Sequence, residues 1–137
     1  MRIARNILAF FVGAIAGGIV NMGIIMVGSK LIPAPAGVDV SNAESIANSI
    51  HLFEPKHFIT PFLAHAIGTL AGALIAYLIA ASYKPILAYL VGVLSLIGGI
   101  AACFMIPAPA WFMALDLIVA YIPMAWLAIL LGKRIVK

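Results

Sequence analysis

Four side chains that could hold a proton or a polar solute stand in otherwise apolar stretches: Asn21, His65, Asp116 and Tyr121. Asp116 is the only acid inside any of those stretches, and a carboxylate in hydrocarbon is strongly unfavourable unless protonated, paired or hydrated. His65 is the only histidine, acid, lysine or arginine between Phe58 and Tyr83. An imidazole and a carboxylate at one depth could bind or relay a proton, a cation or a small polar solute; the same pair could instead be a buried contact that fixes helix register. Pairing favours the charged forms of both groups and burial favours the neutral forms, so the residue types alone leave the protonation state open.

Helical spacing says which neighbours these groups have. Gly68, Thr69, Gly72 and Ala76 share a face with His65 at 3.6 residues per turn, which places the polar group among the smallest side chains on a helix-packing surface. Phe62, Leu63, Ile67, Leu70, Leu74 and Leu78 make up the bulky remainder and are expected to face lipid. Asn21 follows Gly13-x-x-x-Gly17 by one turn, on a second small-residue face where an amide seeks an interhelical partner. Counted from the nearer helix ends, His65 lies about 4 to 7 residues deep, Asp116 about 5 to 6 and Asn21 about 9 to 10. A His65–Asp116 contact is therefore feasible, with Asn21 somewhat deeper and Tyr121 close to the aspartate.

The elements that must carry these groups are membrane-spanning helices. Of 137 residues, 66% are hydrophobic and only 9% charged, a composition outside the range of soluble domains. Apolar runs at about 7–32, 58–82, 85–106 and 111–132 each reach the roughly 20 residues needed to cross about 30 Å of hydrocarbon. Alternating barrel-strand patterning is absent, and a lipid-exposed backbone must satisfy its own hydrogen bonds, so the spans are helical. The expected fold is a single all-α membrane domain, residues 1–137: a polytopic four-helix bundle with a short amphipathic helix in its first outer loop. The first run is about twice as long as a typical signal-peptide core, which favours a retained span.

Charge sets the expected orientation. Arg2, Arg5, Lys84, Lys133, Arg134 and Lys137 fall on one side, whereas Lys30 and Lys56 on the other are accompanied by Asp39, Glu44 and Glu54. By the positive-inside rule both termini are cytoplasmic, in a bacterial inner membrane. The net charge of +4 is thereby accounted for by topology, and no nucleic-acid partner is expected. The expected partners are the lipid bilayer and further copies or other membrane subunits, because Gly13-x-x-x-Gly17 and Gly68-x-x-x-Gly72 permit close helix approach between chains as well as within one.

The loop at 33–57 opens with two prolines and a Gly37–Asp39 turn. Ser41-Asn-Ala-Glu44 fits a capping box with Ser41 as N-cap, which predicts a helix over 42–53. Ala43, Ile46, Ala47, Ile50 and Phe53 form its apolar side, and Pro55 stops it, so the segment should lie on the membrane surface or across the bundle mouth. His51, Glu54 and His57 at intervals of three resemble a metal-ligand spacing, but Pro55 breaks the helix that would align them, and no metal site is expected.

In the third span Ala88, Gly92, Ser95 and Gly99 make another narrow face suited to packing. In the fourth, Trp111 and Phe112 mark the interface and Pro123 should kink the helix and free a carbonyl inside the bundle. Ile32-Pro-Ala-Pro-Ala36 recurs as Ile106-Pro-Ala-Pro-Ala110, a hint of a duplicated hairpin, although the helix starts and the proline motifs have different offsets. Cys103 is the single cysteine and forms no intrachain disulfide. No nucleophile with a base at recognisable spacing and no phosphate-binding glycine loop is present, so neither an enzyme nor a cofactor is expected.

Three motifs carry a resemblance: Pro33-x-Pro35-x-Gly37-x-Asp39, Ala64-His65-Ala66-x-Gly68-Thr69-x-x-Gly72-Ala73 and Pro109-x-Trp111-Phe112-x-x-x-Asp116. Together the chain resembles a group of small four-helix bacterial inner-membrane proteins. The resemblance implies a fold and a location and brings no activity with it.

Overall fold

A computed structural model describes all 137 residues. The chain is all-helical: α1 (Arg2–Leu31), α2 (Ala43–Ser49), α3 (Ile59–Ile79), α4 (Lys84–Met105), α5 (Ala110–Val119) and α6 (Ile122–Ile135). Two 3-10 turns, Ile50–Leu52 and Pro55–Phe58, connect α2 to α3. Four helical units are long and apolar enough to cross a membrane, with α5 and α6 together forming the fourth. Large apolar side chains such as Ile7, Phe11, Ile15, Ile97 and Ile118 are exposed around them, as expected of a multi-pass membrane protein whose outer surface meets lipid. Both chain termini and the α3–α4 turn lie at one end of the bundle, here the terminal end; the 33–57 segment covers the other, the loop end.

Helix α3 is central, packed against α1, α4 and α6. That position corrects the expectation that its leucines face lipid: Leu70, Leu74 and Leu78 are partly buried against the main core, Phe62 packs on a smaller cluster, and only Leu63 and Ile67 are exposed. Glycine explains how α1 comes so near. A Cβ on Gly13 would stand 2.6 Å from the Gly72 carbonyl oxygen, and one on Gly17 would stand 2.8 Å from that of Gly68, so these backbones touch. Gly92 opposes Ala125 of α6 in the same way, its would-be Cβ 2.7 Å from the alanine methyl.

The terminal end is tied by polar contacts to orphan groups at a helix end. Arg5 Nε donates to the Ile79 carbonyl (2.6 Å), and Lys84 Nζ donates to those of Ala80 (2.7 Å) and Tyr77 (3.2 Å). Asn6 Oδ1 accepts from the Ala81 and Ser82 amides at 2.9 and 3.2 Å.

At the loop end the N-cap is Asn42, one residue later than expected, with Oδ1 accepting from the Glu44 and Ser45 amides. Ser41 is already engaged: its hydroxyl and amide both donate to Asp39 Oδ1, at 2.6 and 2.9 Å. The helix expected over 42–53 is α2 followed by a 3-10 turn, because the regular hydrogen-bonding ends at Ser49. Of the three residues with metal-like spacing, His57 has its Nδ1 occupied, accepting from the Glu54 amide at 2.8 Å.

Candidate functional site

His65 is the seventh residue of α3 and Asp116 the seventh of α5, counted from Ile59 and Ala110; both helices start at the loop end and run parallel, which brings the two residues level. The His65 Nδ1 to Asp116 Oδ1 distance is 2.8 Å. Asp116 is 4% exposed, and its second oxygen accepts from the Tyr121 hydroxyl, also at 2.8 Å.

Tyr121 reaches Asp116 only because the fourth span is broken. Residues five apart on a regular helix point about 140° away from each other. Pro123 has no amide to donate to the Val119 carbonyl, and α5 ends there; Tyr121, at φ −120 and ψ −80, stays in the broad right-handed region but departs from regular helix angles before α6 begins. The break turns the phenol back toward the carboxylate and stacks its ring on His65, with centroids 5.9 Å apart and planes 27° apart. On α4, Gly99 leaves room for this: a Cβ there would collide with the Tyr121 ring and hydroxyl.

Two cavities meet at this cluster. The first, about 300 Å³, lies beneath the strap formed by α2 and its 3-10 turn, and is roofed by Ile46, Ile50, Phe53, Phe58 and Phe112. His65 and Asp116 line it. The apolar side of α2 thus faces into the bundle mouth, with Phe58 packed on Phe112 (4.7 Å) and Trp111 (5.6 Å) and tilted against Phe53 (6.0 Å). The second cavity, about 260 Å³, is a groove between α1 and α4 lined by Gly17, Gly18, Asn21, Thr69, Ser95 and Gly98. His65, Gly99 and Ala102 border both.

Of the four sequence-derived site residues, His65, Asp116 and Tyr121 come together, whereas Asn21 lies against Gly68 and lines the groove beside them. Thr69 and Ser95, read from sequence as packing positions, share that groove. The aromatic roof was also missed. Its signal is nonetheless in the spacing: Phe58 precedes His65 by seven residues and Phe112 precedes Asp116 by four, each pair on one helix face.

With Asp116 ionised, both its oxygens accept hydrogen bonds, so His65 carries a proton on Nδ1 and its Nε2 is the ring nitrogen free to gain or lose one. The cluster can therefore exchange a proton without losing the contact that holds it together. Comparison with protein-family models, curated proteins and solved structures returns no match. The motif resemblance to small inner-membrane proteins adds nothing to the site, since small residues recur in any tightly packed membrane helix.

Proposed function

We propose that the chain is a small transport or permeation protein that handles a proton, a cation or a small polar solute at His65, Asp116 and Tyr121, with Asn21 on the adjoining wall. The observation that carries this reading is the position of His65, bordering both a cavity under the loop-end strap and a groove in the middle of the bundle. In this reading α2 gates the mouth, and the charge distribution orients that mouth away from the cytoplasm of a bacterial cell. Association with further copies or other subunits would have to use faces other than Gly13, Gly17, Gly68 and Gly72, which meet one another within the chain.

A structural role is the second reading. It is favoured by the complete hydrogen bonding of the buried polar groups: no buried side-chain nitrogen or oxygen lacks a partner. The two separate in purified protein reconstituted into liposomes. Transport predicts that Asp116→Asn and His65→Phe keep the wild-type assembly while proton or solute flux drops by about tenfold or more. Normal assembly with unchanged flux defeats transport, and collapse of both variants on extraction supports packing.

A further inference from the structure

The first cavity combines apolar and aromatic walls with one buried carboxylate at its base, and no lysine or arginine lines either cavity. Resting on the transport reading, we propose that its solute is a lipid-soluble organic cation, an ammonium-type head on a compact apolar body, that exchanges with a proton at His65. The walls argue against the alternatives. A bare metal cation needs several oxygen ligands, and both Asp116 oxygens are already hydrogen-bonded. A strongly hydrated solute would lose its water against Ile46, Ile50 and Phe112 with little to replace it. An organic cation is weakly hydrated, gains from aromatic faces such as those of Phe53 and Phe58, and fits a cavity at the small end of the range for such ligands.

Charge supplies the exchange. When His65 is neutral the cluster holds one uncompensated negative charge, Asp116, and a cation in the cavity neutralises it. When His65 gains a proton on Nε2 the cluster is already neutral, and the new positive charge repels the solute. Cation and proton thus compete for one negative charge. The titratable groups around His65 are Asp116 on α5, Tyr121 beyond it, Cys103 on α4 and His57 above the cavity; α1 contributes the uncharged Asn21, Ile25 and Ser29.

The test is calorimetric binding of benzyltrimethylammonium, whose charge does not titrate, to the full chain in detergent micelles, beside its neutral carbon isostere neopentylbenzene. At about pH 8 the wild type should bind the cation about tenfold or more tighter than Asp116→Asn, with no such difference for the isostere. Wild-type affinity should weaken, toward tenfold per unit, as falling pH puts a proton on the imidazole. His65→Asn keeps an N–H donor near Asp116 and should bind with a flat pH profile. Equal binding by wild type and Asp116→Asn overturns the proposal, as does an isostere that discriminates between them equally well. If Asp116→Asn does not fold, the His65→Asn profile decides, and a slope like that of the wild type overturns it. Absent cation binding alongside Asp116-dependent proton flux in liposomes rejects the solute class and spares the transport reading; absence of both rejects the two together.

Discussion

The two ends of the bundle are packed from different materials, although the same long helices run through both. Toward the terminal end the core is small: Ala73, Ala76, Ala88, Ala125 and Ala128 are fully buried around Tyr77, Val91 and Ile129, and the α1 and α3 backbones touch at Gly13 and Gly72. Toward the loop end α1 and α3 still meet at Gly28 and Thr60, but large rings line the mouth, the fourth span is broken, and two cavities border an imidazole–carboxylate pair. Alanine and glycine let helices close without voids, whereas rings of Phe53, Phe58 and Phe112 bridge wider gaps that they do not fill. The terminal half is a clamp of touching backbones, and the loop half is where the polar pair has open space beside it.

The comparison breaks most visibly if the clamp is pried open. Gly13→Leu should destabilise the bundle by about 3 kcal/mol or more, since its side chain must displace backbone atoms of Gly72 and Ala76. Gly18→Leu, one residue past Gly17 with nothing within 4 Å of its would-be Cβ, should leave stability nearly unchanged. Unfolding by denaturing detergent, followed by helix content, measures both. Similar losses would mean that α1 is not held by backbone contact at its glycines.

A smaller effect sharpens the description of the open half. Tyr121→Phe removes one hydrogen bond to Asp116 and preserves the ring stacked on His65, so it should cost about 1 to 2 kcal/mol in the same assay. A loss as large as that from Gly13→Leu would show that the loop half is as tightly determined as the clamp.

The smallest effect concerns the strap. The Ser41 hydroxyl and, next, the Ser41 amide hold the Asp39 carboxyl below its ordinary value of 3.8. A lowered folded-state value means that the carboxylate's contribution to loop order is present above that ordinary value and is lost as pH falls through the lowered one. Ser41→Ala should raise the Asp39 titration toward 3.8 and speed amide exchange in residues 39–45 without changing global unfolding. Titration by NMR that is indifferent to Ser41 would remove the account of how the strap starts.

Hydropathy, charge and helical periodicity carry much of this, and what they leave open has definite causes. Depth counting makes the His65–Asp116 contact feasible, because a membrane forces each span to cross once and the rise per residue is fixed, but it does not say which faces meet. The N-cap falls one residue later than the capping-box pattern predicts because Ser41 and Asn42 are both good caps, and what separates them is the prior claim of Asp39 on Ser41. The lipid-facing reading of Leu70, Leu74 and Leu78 failed because apolar side chains look alike whether they meet lipid or another helix, and only α3's central place distinguishes the two.

The sequence by itself determined four apolar spans, their shared end for both termini, the small-residue faces and the depth of each polar group, because these follow from hydropathy, charge and helical periodicity. Tertiary structure alone decided that α3 is surrounded by three others, that Tyr121 turns back onto Asp116, that Asn21 faces a groove beside the pair, and that α2 roofs a cavity. Each depends on helix rotation and spacing, which long-range packing sets and no local pattern encodes.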